Sequence, residues 1–333
     1  MKYFSLPNPG SALVAGERDV PEPGPGEVLV RMRGWSINFR DLMMVKGWYP
    51  KPVKPEVVPL SDGAGEIVAA GSAVTRWSPG DRVVATYFPR WISGPGTPEA
   101  TSVELAGSVD GVLAEYVTFA EDAVVAIPAN LDFAEAATLP SAGVTAWRAV
   151  VDEGRLMPGQ NVLTLGSGGV STFAVQFAAL GGARVLATSG SPEKGERLAA
   201  LGAADVLDYR ATPDWGAAIA ELTGGGADHV VEVGGAGTFG QSIIAARPGG
   251  HISVVGVLTQ GSGIDPLPVI AKQLTLRGLT NASRDTFERM NRAIARHDLH
   301  PVIDRRFAFD DIADALKHLE SGRHVGKVVI EAD

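Results

Sequence analysis

The chain contains no cysteine among its 333 residues. Disulfides, a thiolate nucleophile and thiolate metal ligands are therefore excluded. Histidine is scarce and one-sided. All six (His229, His251, His297, His300, His318, His324) lie beyond residue 228, and no pair has the spacing of a metal motif. They read as strand-end or surface residues. Positive charge is in deficit: the net charge of −9 argues against a nucleic-acid surface, which needs a basic footprint. No apolar run approaches the ~18 residues of a membrane span. The first seventeen residues hold no apolar run of the ~7–15 residues that a secretory signal needs. The expectation is a cytoplasmic globular protein, long enough for two domains of ordinary size.

Glycine and proline are plentiful, at 41 and 22, and one glycine cluster stands out. The stretch 161–165 is apolar and strand-like. It runs into Gly166-Ser167-Gly168-Gly169-Val170-Ser171, and a helical pattern follows over 172–180. A strand, a glycine turn and a helix N-terminus together hold a dinucleotide pyrophosphate. Gly166 makes the tight turn, Gly168 lets the backbone approach the phosphates, and the helix supplies N–H groups and its positive dipole end. Ser171 stands where the third glycine of G-x-G-x-x-G is usual, so slightly looser helix–strand packing is expected. A glycine hexamer alone is a weak signal, equally open to a turn in another α/β protein.

The rhythm of the chain changes near residue 129. Before it, short apolar runs (27–34, 65–70, 81–86, 113–119) recur between Pro/Gly turns, as in a small barrel or sandwich. Residues 89–110 read as a long loop of the kind that is usually functional or mobile. After it, strand candidates at 162–165, 184–188, 205–208, 229–233, 251–255 and 274–278 alternate with helical stretches. Such alternation predicts a doubly wound parallel sheet, its strands apolar because both faces are covered. Ser283 and Asp310 read as caps of two late helices. Strand 327–330 is too short to be a domain and is expected to return to the first one.

The ordered set of motifs resembles the medium-chain dehydrogenase/reductase superfamily. These motifs are Pro59-Leu60-Ser61-Asp62-Gly63-Ala64-Gly65-Glu66, Gly80-Asp81-Arg82-Val83, Ala137-Thr138-Leu139-Pro140-Ser141-Ala142-Gly143-Val144-Thr145-Ala146-Trp147, the glycine turn, and Arg247-Pro248-Gly249-Gly250. The resemblance implies an α/β chain: a GroES-like β-rich domain over 1–128 and 299–333, and a Rossmann domain over 129–298. Within the superfamily the chain is similar to the zinc-lacking, quinone-oxidoreductase-like branch. The positions matching the catalytic zinc ligands of alcohol dehydrogenases hold Asn38 and Asp62, with Ser141-Ala142-Gly143 as the third region. The four-cysteine zinc lobe is replaced by the 89–110 loop. One amide and one carboxylate do not hold a catalytic zinc of the usual kind, so no metal is expected.

The second strand of the nucleotide half ends in Ser189-Gly190-Ser191-Pro192-Glu193-Lys194. An acid at that tip would select the ribose 2′-hydroxyl of NAD. None is there. Ser189, Ser191 and Lys194 offer hydroxyls and an ammonium to a 2′-phosphate, which favours NADP(H), although Lys194 also fits as an exposed residue of a helix first turn. The resemblance adds Thr145 near the nicotinamide, Tyr209 near the phosphate, Gly256, and Arg323 and Lys327 reaching the cofactor from the other domain. Surface charge explains the last two equally well.

Without zinc, the easier acceptors delocalise their own negative charge, as quinones and α,β-unsaturated carbonyls do. Candidate donors to the developing oxyanion are Asn38, Arg40 and Tyr49. Asn38 either reaches the substrate oxygen or holds its loop. Tyr49 either gives the proton after hydride transfer or forms a wall. Arg40 and Asp62 are expected to pair where the metal would be, since a lone buried charge is costly. Asp41 is expected to fix the loop. Trp48, Phe88 and Trp91 suggest a flat apolar substrate, or core packing. The resulting expectation is a zinc-independent, NADPH-dependent oxidoreductase acting on a small apolar quinone or enone. Two alternatives stay open: an alcohol dehydrogenase or aldehyde reductase, and an NADPH-binding protein without turnover. A homodimer is implied by the resemblance, pairing strand 274–278 across a two-fold. No nucleic-acid or membrane partner is expected.

Overall fold

A computed structural model describes residues 1–256, 258–259, 261 and 265–332. The chain forms two compact units, Met1–Val144 with Asn281–Asp333, and Thr145–Thr280.

The second unit carries a six-stranded sheet. Its spatial order is Ala203–Asp208, Arg184–Ser189, Asn161–Leu165, Ala227–Glu232, Ala246–Val254, Thr275–Gly278. All these pairings are parallel. In chain order this is 3-2-1-4-5-6, the Rossmann arrangement, whose crevice lies at the carboxyl ends of the strands where the order reverses. Val162, Leu163, Val185, Leu186, Val230 and Ile252 are wholly buried, because helices cover the central strands. The outer strand Thr275–Gly278 differs: all four of its residues are exposed.

The first unit is built on a mixed sheet. Strand Glu27–Ile37 lies between Lys327–Glu331 and Asp62–Ala70, and also pairs with Tyr116–Ala120. Trp35, fully buried on this strand, donates its indole N–H to the Val112 carbonyl at 2.6 Å, satisfying the one polar atom such a core tryptophan brings. The last strand of the chain therefore returns to this unit, with Ile330 opposite Trp35 and Val328 opposite Ile37.

The second unit is narrower than the expected 129–298 at both ends: the boundaries fall at 144/145 and 280/281. Residues 129–144 stay with the first unit: Ser141 N–H donates to Asp62, and Pro140 O accepts from Asn281 Nδ2 at 3.1 Å. Helix Arg284–His297 stays too, with Asn291 Nδ2 donating to Ala126 O at 2.9 Å. A change of rhythm from strand to helix marks the start of an element, not the surface against which it packs. Ser283 caps this helix as expected, its hydroxyl accepting from Thr286 N. Asp310 does not cap the next one. It lies in a 3₁₀ turn, Phe309–Asp311, and bonds Lys2 at 3.0 Å. Among the described residues no helix is long and apolar enough to cross a membrane.

Candidate active site: a glycine turn and a buried charge cluster

In the second unit, strand Asn161–Leu165 ends at Gly166, whose φ of +70° is the left-handed conformation that glycine adopts without strain. Helix Gly169–Leu180 begins after Gly168. Gly168 has an ordinary extended backbone, and a Cβ built on it would meet no protein atom within 4 Å. The chain's own packing does not require glycine there, which suits a position that a dinucleotide's phosphates approach. Ser167 is buried beside it, and Gly169 and Val170 form the helix's first turn, whose N–H groups have no intrahelical acceptor. These residues fit a pyrophosphate. Ser171 does not loosen the motif: its buried hydroxyl donates to Leu165 O at 2.6 Å, tying helix to strand.

The second strand ends at Ser189, with no acid at its tip. The Ser189 hydroxyl is buried and donates to Ser191 O at 2.9 Å, so it faces its own turn. Ser191 caps helix Pro192–Ala200, its hydroxyl accepting from Lys194 N. Tyr209, 40% exposed, lies on Gly190, where a Cβ would come within 2.3 Å of its hydroxyl. Gly256 is fixed by close approach, since a Cβ there would lie 1.7 Å from Val233 O. Thr145, buried, opens the unit. A residue that carries no motif organises the neighbouring turn. Glu232, fully buried, accepts from Gly234 N, Gly235 N and the Thr238 and Ser242 hydroxyls.

In the first unit, the sheet and the short helix Phe39–Val45 gather the polar residues. Asn38 precedes the helix, and its N–H donates to Asp41 Oδ2 at 2.8 Å. Arg40 does not pair with Asp62. Its guanidinium donates to Glu104 Oε1 at 2.8 Å and to Leu105 O at 3.0 Å, and lies 3.9 Å from Asp41. It also lies over the rings of Tyr49 and Tyr87. Glu104 collects four donors: Arg40, Lys51, Tyr87 at 2.7 Å, and the Tyr49 hydroxyl. Burial pushes the Glu104 carboxyl upward, but Arg40 and the tyrosine hydroxyls hold it below its ordinary range. The Arg40 guanidinium keeps its charge more firmly than usual despite burial, because Tyr87, Asp41 and Glu104 surround it.

This geometry redirects Tyr49. A phenol has one proton, and Tyr49 gives it to Glu104. Toward any other group its oxygen is an acceptor, so it is not set to protonate a product. Glu104 and Tyr87 were not singled out by motif. Glu104 sits in the 89–110 loop among turn residues, and an acid in a long loop is too weak a signal to choose it.

Lys327 is also redirected. Only 4% exposed, it donates to Ile37 O at 2.8 Å and Asn38 Oδ1 at 2.5 Å. Asp62 lies within its electrostatic reach, its own oxygens accepting from Ser61 Oγ at 2.7 Å and Ser141 N at 3.1 Å. Burial raises the Asp62 pKa against the pull of Lys327, Asn38 and Ser61. Burial lowers that of Lys327 against Asp62 and Asp41. Asp41, wholly enclosed, is raised to about 6 by burial despite Arg40. Arg323 stays exposed beside Ser321.

The residues at the expected metal position do not fit a zinc ion. The asparagine oxygen is taken by an ammonium, and a second cation against it would be repelled. Among the described residues no three His, Asp or Glu side chains gather as a metal site would require. Two of the aromatics proposed as substrate walls are core residues. Phe88 and Trp91 are buried with Tyr87, and Trp91 donates to Gly94 O at 2.9 Å. Trp48 alone is open, at 56% exposure.

The sequence matches the family of alcohol dehydrogenase GroES-like domains over residues 24–129 and that of zinc-binding dehydrogenases over residues 169–296. It is 42% identical to a zinc-type alcohol dehydrogenase-like protein of Schizosaccharomyces pombe, over 95% of this chain and 94% of that one. A quinone oxidoreductase of Pseudomonas aeruginosa is 30% identical over 93% and 92%. A crystal structure of an NAD-dependent alcohol dehydrogenase superposes with a TM-score of 0.91 at 34% identity, over the whole of both chains. With both halves matched in order and the sheet order agreeing, the chain belongs to the medium-chain dehydrogenase/reductase superfamily of oxidoreductases.

Proposed function

We propose that the chain is a zinc-independent, NADPH-dependent reductase of small apolar quinones or α,β-unsaturated carbonyls. The observation that carries this reading is the Lys327 ammonium bonded to Asn38 Oδ1 at the position matching a zinc ligand. When bound, the reduced nicotinamide supplies the hydride. The turn at Gly166, Ser167, Gly168, Gly169 and Val170 holds the pyrophosphate. Lys194 and Tyr209, at a strand tip without an acid, favour a 2′-phosphate. The hydride's electron pair would become the new C–H bond at the carbon end of the conjugated acceptor, and the acceptor's own π electrons would shift to its oxygen. Asn38 stabilises that oxygen by hydrogen bonding, and solvent supplies the proton. A conjugated acceptor asks less of the protein than an isolated carbonyl does, since its own π-system spreads the charge.

A second reading, reduction of aldehydes or ketones and oxidation of alcohols, is favoured by one observation. Asp62 is a wholly buried carboxyl with a raised pKa, as an acid–base group for an alkoxide would need. The names of the relatives also suit it. The test is NADPH and NADH oxidation by the purified protein with a quinone, an enone and an aldehyde, each with and without a chelator. Chelator-resistant turnover of quinone or enone with NADPH is expected. Turnover of aldehyde alone, lost on chelation, would overturn the proposal. Cofactor binding without any turnover would indicate a binding protein.

We also propose a homodimer. Strand Thr275–Gly278 ends the sheet with its residues exposed, and an uncovered edge is a pairing liability unless used. Sedimentation showing only monomer at micromolar concentration would refute it.

A further inference from the structure

Lys327 has no role in the reading above beyond occupying a position, yet its surroundings give it one. An ammonium has three donors and no acceptor. The atom of Asn38 that faces it is therefore the amide oxygen, and the amide nitrogen must point the other way. That nitrogen, Nδ2, is buried and makes no hydrogen bond. The Asn38 backbone is held as well, through its N–H to Asp41. The Lys327 ammonium is itself fixed by Ile37 O, on the neighbouring strand paired with its own. Asp62 balances the charge, and the Asn38 amide helps to keep its carboxyl ionised, but no acceptor stands within ordinary hydrogen-bond distance of Nδ2. A buried donor without an acceptor costs free energy, typically ~1–3 kcal/mol. Such a cost calls for an explanation, and a role at a functional site is one.

We infer that Lys327 is the positioning residue of the oxyanion site: it fixes and polarises the Asn38 amide so that Nδ2 meets the substrate oxygen, supplying through one amide the positive charge that a metal supplies in zinc enzymes. This inference rests on the proposed reductase reading for its substrate, and adds the device that makes Asn38 a donor. Charge drawn toward the oxygen end by the ammonium leaves the N–H₂ group more positive, and the low dielectric around it preserves the effect.

The test uses the full chain loaded with NADP⁺ and p-nitrophenol as a probe that carries an oxyanion without reacting. Its absorbance reports the ratio of phenolate to phenol in the site. In the parent protein, bound p-nitrophenol is expected to ionise at least one pH unit below the free compound. Lys327→Met should abolish that shift and lower kcat with an enone by about 10²-fold, the usual cost of losing an oxyanion donor, with NADPH affinity unchanged. Lys327→Arg should restore part of both. Should Lys327→Met fail to fold, Asn38→Asp tests the same point. It keeps a partner for Lys327 and replaces the donor by a carboxylate oxygen that can only accept and repel, so it should fold and lose the shift. A phenolate shift that is absent in the parent, or that persists in both Lys327→Met and Asn38→Asp, overturns the inference. If no carbonyl is reduced but the shift is present and lost in the variants, the reductase reading fails and the role of Lys327 stands.

Discussion

The glycine turn of one unit and the charge cluster of the other prepare for a reaction in opposite ways. The turn removes side chains. At Gly168 nothing of the protein fills the space that a Cβ would occupy, so the backbone of the turn is open to approach. The cluster packs charge instead. Arg40, Glu104, Asp41, Asp62 and Lys327 are all largely withdrawn from water and answer one another. A diffusible anion is held by an empty cradle with fixed dipoles. Charge that develops during a reaction is met by groups oriented beforehand and shielded from solvent. Substitutions should therefore separate the halves, with stability lost in one and binding in the other.

The largest effect expected is on the cluster. Glu104→Ala leaves Arg40, Tyr49 and Tyr87 without their common acceptor. Removing one partner of a buried pair costs ~3–5 kcal/mol. Urea unfolding of the apoprotein should register a loss of that order, whereas Glu104→Gln should lose less because its amide oxygen still accepts. A Glu104→Ala protein of parental stability would mean that the cluster is solvated and its apparent economy of charge illusory.

Gly168→Val should behave in the reverse manner. The backbone at 168 is extended and the space open, so the substitution should leave the melting temperature within a degree or two. It should weaken NADPH binding by about 10²-fold, equivalent to ~2.7 kcal/mol. Fluorescence titration with NADPH measures the second quantity, calorimetry the first. Equal losses in both would erase the distinction drawn here.

The two halves were also unequally legible. The turn declared itself because its ligand-binding groups are contiguous: Gly166 to Ser171 follow a strand and open a helix, and the strand order follows from alternation. The cluster did not, because its members come from residues 38, 40, 62, 104 and 327, brought together only by the tertiary fold. Asn38 and Asp62 were found by resemblance to metal ligands. Their charge partner was misassigned: Arg40 is nearer to Asp62 in sequence, yet Lys327 reaches that site, because strand Lys327–Glu331 pairs directly with the end of strand Glu27–Ile37. Phe88 and Trp91 were ambiguous for a different reason. An aromatic beside a cleft and one in a core have the same sequence signature, and only burial distinguishes them.

Acid stability offers a finer comparison, because the two units contribute slopes of opposite sign in one pH window. Asp41 in the first unit has a folded pKa raised to about 6 by burial. As pH rises through the interval from its ordinary value of 3.8 to 6, the unfolded chain ionises first, and stability falls. His229 in the second unit is lowered to about 4 by burial and by His251. As pH falls from its ordinary 6.5 to 4, the unfolded chain takes the proton first, and stability again falls. Asp41→Asn should therefore gain stability relative to the parent at pH 7 and lose that advantage by pH 4. His229→Gln should gain relative to the parent at pH 4.5 compared with pH 7. Urea midpoints at pH 4.5, 5.5 and 7 check both. Parallel slopes in the two variants would show that one group dominates the pH response of the whole chain.

The smallest expected effect concerns which nicotinamide the turn accepts. Lys194 lies in the first turn of helix Pro192–Ala200, whose cap is the Ser191 hydroxyl, and no acid stands at the strand tip to repel a phosphate. The Ser189 hydroxyl donates to Ser191 O within its own turn. The 2′-phosphate would then rest on Lys194, Ser191 and the Tyr209 ring. Exposed ion pairs are worth little, of the order of ~1 kcal/mol or less. Lys194→Ala should thus raise the KM for NADPH by only about three- to fivefold while leaving that for NADH unchanged. A loss shared equally by both cofactors would place Lys194 in the support of the helix, and a parent protein that prefers NADH would show that the absence of an acid at Ser189 is not by itself a selection for the phosphate.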